Sequence, residues 1–334
     1  MIKKIFGVGI VGCGLIGEKR AQSLPKNCRL IACADIDITR AKNISNKFNA
    51  LAMENWMDLI SIKDIDIVIV STLHDSLAKI TLASVKMGKH VLVEKPAARF
   101  PEELEEIINE LKNSPSKVRV GFNHRYHPSL IKAKEIVDSG QLGDLMFIRG
   151  RYGHGARLNY HKEWRANPEI SGGGELIDQG PHLIDLSRFF LGEFVEVNGF
   201  ANTFFWDMPV DDNAFLILKT KTKKTAFLHV SCTEWKNLFS MEIYGKKGKI
   251  DINGLGGSYG VEKITYYKML PQMGPPETSS WEFPMADNSW KLEFAEFIED
   301  IELNRTPSAN IVDAYNALKI IKKIYEMSDY DYSA

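Results

Sequence analysis

The chain opens on an apolar run, Ile5 to Val11, interrupted only by glycine, and this run begins a regular alternation that lasts to residue 122. Strands are predicted at Ile5–Val11, Leu30–Asp35, Ile65–Ser71, His90–Glu94 and Val118–Phe122. Helices are predicted between them at Ile16–Leu24, Thr39–Phe48, Ser76–Met87 and Pro101–Leu111. Asp37 is placed to cap the second helix, Gly88 to stop the third, and Pro101 to start the fourth. The IDIVIVS run is apolar on successive residues rather than every second one, as a strand covered on both faces must be. Strands that alternate with helices predict a parallel, doubly wound sheet.

Beyond residue 122 the period changes. Pro128–Ser139 reads as a helix ended by Gly140 and Gly143. Leu145–Arg151, Val195–Phe205, Ala214–Lys221, Thr225–Thr233, Ser240–Tyr244 and Val261–Met269 alternate with period two, which predicts a mostly antiparallel sheet. A helix carrying Leu176, Leu183, Leu186 and Phe190 interrupts them. Residues 271–288, rich in Pro, Gly and Ser, read as a loop, and Trp290–Leu303 and Val312–Met327 as closing helices. The expected fold is α/β: a doubly wound parallel sheet over residues 1–122, then an α+β domain with a large, mostly antiparallel open sheet over 123–334.

Composition adds limits. The 334 residues are 44% hydrophobic and 25% charged, an ordinary globular mix whose length calls for two cores. A net charge of −1 gives no general attraction to nucleic acid or to an anionic membrane, although a local basic patch could still hold a phosphate. No segment has about 18 unbroken apolar residues, so no membrane span is expected. Lys3 and Lys4 before the first apolar run resemble a signal peptide, but five glycines and the charged Glu18-Lys19-Arg20 favour a buried strand. Cys13, Cys28, Cys33 and Cys232 are scattered, form no CxxC pair and read as small buried residues of a cytoplasmic protein.

The chemistry starts at Gly12-Cys13-Gly14-Leu15-Ile16-Gly17, a G-x-G-x-x-G between the first strand and first helix. Gly12 permits the tight turn, Gly14 admits a pyrophosphate, and Gly17 lets helix and strand approach, while the helix N-terminus faces the phosphates. The motif alone is weak; its strand–helix setting gives it meaning. Asp35, at the end of the second strand, is placed to bind an adenosine ribose and to repel a 2′-phosphate, which favours NAD. Arg40 leaves NADP open, and a structural helix-capping role is the plain alternative for Asp35.

Two further segments offer catalysis. Lys95-Pro96 follows the strand His90–Glu94, at the sheet edge where ligands of such sheets bind. A lysine there can stabilise alkoxide character as hydride leaves; the plain alternative is a surface lysine. Asp178 and His182 follow the triple glycine 172–174 and, four apart, would share one helical face. His182 is a competent base that a neighbouring carboxylate would orient. The other readings are a surface helix pair or, with Asp185, a metal site, for which no further ligand cluster is seen. Pro181 is awkward inside such a helix and suggests a kink.

Taken together these residues resemble the Gfo/Idh/MocA oxidoreductase family, whose members include glucose–fructose oxidoreductase and inositol dehydrogenase. The resemblance rests on Gly12–Gly17, Asp35, the segment Gly88 to Pro96 (GKHVLVEKP), Gly121-Phe122-Asn123, and Gly172–Asp185 read as GGGxLxDxGxHxxD. It implies a catalytic set of Lys95, Asp178 and His182, with His182 exchanging the hydroxyl proton. It also implies a cis peptide before Pro96, and dimers or tetramers formed on one face of the second sheet. The family's T-P-N-x-x-H is replaced by Thr72-Leu73-His74-Asp75-Ser76-Leu77, so contacts of that loop are in doubt. Gly12, Gly14, Leu15, Ile16, Gly17, Asp35, Ser71, Thr72, His74, Glu94 and Lys95 are the candidate cofactor residues; a solvated loop position is the alternative for His74.

Arg125, Tyr152, Arg157, Tyr160, Trp164 and Arg165 are the candidate substrate residues, because rings stack on sugars and arginine forks bind anions. With Arg149, four arginines hint at a sugar phosphate or nucleotide-activated sugar. The expected function is an NAD-dependent dehydrogenase or ketoreductase of a sugar, with no metal, nucleic acid or membrane partner. A cyclitol dehydrogenase or a non-catalytic NAD-binding regulator are the alternatives. Val195, Val197, Phe200, Phe204, Phe205, Phe215, Ile217, Phe227 and Val230 suggest an apolar patch that a second copy covers.

Overall fold

The computed structural model describes residues 4–330, so Lys3 and the last four residues of the second predicted domain lie outside the described residues. The chain divides into two compact units: one runs to Phe122 and takes in Trp290–Asn316, the other holds Asn123–Ser289 and the chain from Ala317 on. The first break falls where the period changes in the sequence. Residues 290–316, assigned by sequence to the second domain, belong to the first unit.

The first unit is built on six strands, β1 (Phe6–Val11), β2 (Cys28–Ala34), β3 (Leu51–Met53), β4 (Ile67–Val70), β5 (His90–Val93) and β6 (Val118–Val120). Their order is β3-β2-β1-β4-β5-β6 and every pairing is parallel. The helices α1 (Leu15–Gln22), α2 (Ile38–Phe48), α3 (Trp56–Ile60), α4 (His74–Lys86) and α5 (Glu102–Leu111) are the crossovers. β1 and β4 are buried at every residue, as their unbroken apolar runs require. Asp37 caps α2 by accepting from the Thr39 N–H. The short β3 and α3 were not predicted; three and five residues carry too little period to read.

The second unit contains α6 (Pro128–Asp138), β7 (Leu145–Gly153), the short α7 (Pro168–Ser171) and α8 (Glu175–Asp178), and α9 (Gly180–Leu191). The strands β8 (Phe194–Asn202), β9 (Asn213–Thr220), β10 (Thr225–Ser231), β11 (Leu238–Gly245), β12 (Gly248–Asn253), β13 (Glu262–Lys268) and β14 (Glu277–Phe283) follow. The eight strands are ordered β14-β13-β12-β11-β7-β10-β9-β8, with only β7 and β10 parallel. β14 lies in the stretch read as a loop. It is an edge strand, mostly exposed, so no buried face imposes alternation on its sequence. β12 is short, and of its buried positions 248, 250 and 252 only the last two carry an apolar side chain, too few to read as a period.

One face of this sheet is covered. Leu183 of α9 packs onto Gly150 of β7, where a Cβ would lie 3.3 Å from it, and Ile148, Leu216, Leu218, Leu228 and Ile243 are buried in the same unit. The other face is open. Cross-strand pairing sets Phe200 beside Phe215, and Ile217 beside Phe227, and Phe200, Ile217 and Phe227 are each about half exposed. Val197 and Val230, predicted to share that patch, face the core instead. The chain closes with α10 (Ser289–Glu302) and α11 (Ile311–Met327). Phe294, Phe297 and Ile298 of α10 join the core formed by Val8, Ile10, Ile67, Ile69 and Leu92. No described helix is long and apolar enough to cross a membrane.

Candidate active site

In the first unit, parallel topology puts the ends of β1, β2, β4 and β5 along one edge, and the predicted cofactor residues follow those ends. Gly12 takes φ +90°, and a Cβ on it would lie 2.5 Å from the Ser71 carbonyl. A Cβ on Gly17 would lie 2.1 Å from the Gly12 carbonyl oxygen. Gly14 differs: a Cβ there would meet nothing within 4 Å, so no neighbour within the protein demands a glycine. Space is kept open beside the first, unbonded N–H groups of α1, which fits a pyrophosphate. Leu15 is exposed and Ile16 half-buried on that turn.

Asp35 is half-buried and held by the loop it serves. Its carboxylate accepts the Cys13 N–H at 2.7 Å and the Asp37 N–H at 2.9 Å, one on each oxygen. Each oxygen keeps a lone pair for a ribose hydroxyl. Ser71 donates its hydroxyl to the Gly12 carbonyl at 2.8 Å and so braces the turn from β4. Thr72 accepts from the Ser76 hydroxyl at 3.0 Å. His74 is not a solvated loop residue; it is buried as the first residue of α4. The Glu94 carboxylate accepts from Arg20, which sequence reasoning did not single out. Lys95 is half-buried at the end of β5, and its bond to Pro96 is cis.

In the second unit, His182 and Asp178 do not lie on one continuous helix. α8 ends at Asp178, Gln179 lies between, and α9 starts at Gly180. Pro181 therefore falls in the first turn of a new helix, where its missing N–H is not needed. Gly172 ends α7 with φ +77°, and Gly173 and Gly174 are hemmed in by neighbours. A Cβ on Gly174 would lie 1.9 Å from the Asp211 carbonyl oxygen. The buried Asp211 carboxylate accepts from the N–H groups of Gly174 (2.9 Å) and Leu176 (2.7 Å) and from the Tyr325 hydroxyl (2.6 Å). Burial pushes its pKa up to about 6 against these donors.

Around His182 the chain gathers polar groups from distant segments. The His182 ring stacks on His124, with centroids 3.7 Å apart and planes 19° from parallel. The Tyr152 ring meets His124 edge-on at 5.2 Å, and burial raises its phenol well above the ordinary range. Asp178 accepts from Arg165 Nε at 2.8 Å, and the Arg165 guanidinium lies 4.5 Å from the centre of the Trp164 ring. Next to them His154 Nε2 is 3.5 Å from the fully buried Glu175 carboxylate, and His154 Nδ1 accepts the Ala156 N–H at 2.9 Å. Burial lowers the His154 pKa, but Glu175 outweighs it and raises the group overall. Tyr160, also buried, packs its ring 5.6 Å from His154.

Four of the six predicted substrate residues, Tyr152, Tyr160, Trp164 and Arg165, thus join this cluster. Arg157 is exposed and forks onto Glu163 with two bonds of 2.6 Å. Arg125 is buried, with bonds of 2.7 and 2.5 Å to Asp185. That pairing engages the third member of the metal reading, and among the described residues no three His, Cys, Asp or Glu side chains gather as a metal site. His124, Glu175 and Tyr259, whose ring is 5.1 Å from Tyr152, were not predicted. His124 and Glu175 carried a signal, since His124 directly follows the Gly121-Phe122-Asn123 motif and Glu175 lies inside the Gly172–Asp185 motif.

Comparison with known proteins gives a consistent picture. Residues 6–122 match the model for an oxidoreductase family, NAD-binding Rossmann fold, and residues 130–251 match the GFO/IDH/MocA C-terminal domain. A levoglucosan dehydrogenase of Pseudarthrobacter phenanthrenivorans is 30% identical over 221 residues, 61% of this chain and 56% of that one. An inositol 2-dehydrogenase of Rubrobacter xylanophilus is 31% identical over 195 residues, 57% and 54% of the two chains. The chain thus spans little more than half the length of these curated relatives. A solved levoglucosan dehydrogenase in complex with NADH superposes with a TM-score of 0.86 over 97% of this chain and 98% of that one, at 22% identity, which establishes the fold.

Proposed function

Because the chain belongs to the Gfo/Idh/MocA oxidoreductase family, we propose that it is an NAD-dependent dehydrogenase that oxidises a secondary hydroxyl of an uncharged sugar or cyclitol. The observation that carries this reading is the buried His182 imidazole, stacked on His124 and edge-on to Tyr152, in the same unit as the Asp178 carboxylate held by Arg165. Such a surrounding suits a molecule made of hydroxyls. Gly12, Gly14 and Gly17 with the first N–H groups of α1 would hold the pyrophosphate, and Asp35 the ribose. The bound dinucleotide supplies a hydride acceptor. His182 takes the hydroxyl proton, Lys95 hydrogen-bonds the oxygen as negative charge grows on it, and Asp178, fixed by Arg165, orients the substrate. Proton and hydride together leave a ketone.

An uncharged substrate is favoured over the phosphorylated or nucleotide-activated sugar that four arginines suggested. Arg125 pairs with Asp185, Arg149 with Glu242, Arg157 with Glu163 and Arg165 with Asp178. Each guanidinium is already matched by a carboxylate, which weakens the case for an anion. The relatives' names, levoglucosan and inositol 2-dehydrogenase, point the same way. The half-exposed Phe200, Ile217 and Phe227 support a second copy covering the open sheet face.

The test is a screen of anhydrosugars, pyranoses, cyclitols, sugar phosphates and nucleotide sugars, followed by NADH absorbance. Turnover of uncharged compounds is expected. Turnover confined to phosphorylated or nucleotide-linked sugars overturns the substrate reading, and tight NADH binding without turnover of any class favours a regulator.

A further inference from the structure

We propose that Arg20 is a positioning residue for Lys95, gripping the preceding residue, Glu94, and tying it to α1 and α10. The inference rests on the role given above to Lys95. Arg20 lies in the last turn of α1, the helix that the glycine motif opens. Its side chain is fully buried. Arg20 Nε donates to Glu94 Oε1 at 2.6 Å, and a second guanidinium nitrogen lies 2.6 Å from the same oxygen. The remaining arm donates to Glu293 Oε2 of α10 at 2.5 Å. The Trp290 ring lies 4.4 Å from the guanidinium carbon, a cation–π contact that closes one side of the group.

The backbone fixes Glu94 as well. Its N–H donates to Val70 at the end of β4, and its carbonyl accepts the Ala97 N–H on the far side of Lys95-Pro96. Gly121 leaves room for the pair: a Cβ there would lie 2.7 Å from Arg20 and 2.8 Å from Glu94. Lys95 thus starts from a residue held by main chain and side chain together.

Stability alone is a poor reason for this arrangement. One cation shared by two buried carboxylates costs desolvation that apolar residues of similar size would avoid. Burial, with the neighbouring Glu94 charge, raises the Glu293 pKa despite Arg20, so Glu293 holds a proton more readily than an ordinary carboxylate. Placement is a better reason, because an error of about 1 Å in a reacting group can cost about 10²-fold in rate. The same unit supplies a comparison. Arg119 is equally buried and bonds Asp300 at 2.5 Å on the same α10, but its partners do not adjoin Lys95.

The experiment compares Arg20→Lys, Glu94→Gln and Arg119→Lys in the full chain. Melting temperature, NADH affinity, kcat and KM are measured, together with the rate at which an acetylating ester labels Lys95, read by peptide mass spectrometry. Arg20→Lys is expected to lower kcat about ten- to a hundredfold and change the Lys95 labelling rate at least threefold, with NADH affinity within about threefold of the parent. Glu94→Gln, which keeps the side-chain shape, should lower kcat and shift Lys95 labelling in the same direction but more weakly, and stands in if Arg20→Lys does not fold. Arg119→Lys should lower the melting temperature and leave kcat and Lys95 labelling within twofold. Equal effects of Arg20→Lys and Arg119→Lys on all readouts, or unchanged kcat and labelling in Arg20→Lys or Glu94→Gln, overturn the proposal. If the parent turns over no substrate, the functional reading fails, while Lys95 labelling still decides the positioning role.

Discussion

The two sheets of this protein reach a functional arrangement by different routes. In the first, parallel pairing brings the ends of β1, β2, β4 and β5 to one edge, so Gly12, Asp35, Ser71 and Lys95 are gathered by topology alone. In the second, the functional groups come from α8, α9, the turn after residue 122 and the loop after β7. They meet only through contacts such as His124 on His182 and Arg165 on Asp178. The first sheet is helix-covered on both faces and the second on one, which leaves a half-apolar surface for the second to manage. A parallel sheet therefore builds a binding edge as part of its fold, whereas the antiparallel unit must assemble its site from side chains that could have met otherwise.

The comparison breaks first on chemistry. His182→Ala removes the proposed base and should lower kcat about 10²–10⁴-fold. Lys95→Ala should cost about 10²–10³-fold. Because His182 is not among the candidate cofactor residues, His182→Ala should keep NADH affinity, by fluorescence titration, near the parent value. Turnover within a few-fold of the parent in both variants would remove them from the mechanism.

The open face of the second sheet offers the next test. Ile217→Asp and Phe227→Asp place carboxylates among half-exposed apolar side chains. If a second copy covers that face, light scattering at micromolar concentration should show the assembly reduced to monomers. A parent protein that is already monomeric refutes the covered face.

Cofactor choice sharpens the role of the first sheet. Asp35→Ser removes charged acceptors of ribose hydroxyls, each worth about 1.5–3 kcal/mol. The preference for NAD over NADP should fall about tenfold or more by titration. Equal affinity of the unmodified protein for both dinucleotides would show that Asp35 serves only its bonds to Cys13 and Asp37.

The smallest effect is on stability. Burial in β5 lowers the His90 pKa to about 4, helped by the nearby Lys4 and Lys117 and opposed by Asp66, while its Nδ1 accepts the Lys117 N–H. A base with a depressed folded pKa contributes stability that is present above its unfolded value of 6.5 and is lost as pH falls toward 4. Discounted for its partial exposure, the loss is about 1–2 kcal/mol. Melting temperature should drop between pH 6.5 and 4, and His90→Gln should flatten that step. An unchanged slope in the variant would assign acid sensitivity to other groups.

The sequence by itself determined the first sheet, and it put the glycine turn and Asp35 at the ends of that sheet's strands. Both rest on local physics: unbroken apolar runs for doubly covered strands, a positive φ at Gly12 and a close backbone approach at Gly17. It also marked Lys95, Asp178 and His182 by residue type and place. What it left to the tertiary structure had no period to carry it. β14 is an edge strand without a buried face. Pro181 sits in the first turn of a helix that starts at Gly180, not in the interior of one that carries Asp178. Arg125 and Arg157, read as free anion binders, are neutralised by Asp185 and Glu163, and His124, Glu175 and Asp211 matter through partners far along the chain. Periodicity reports which face of an element is buried; it does not report which charge will lie opposite it, and that was decided only when the elements packed.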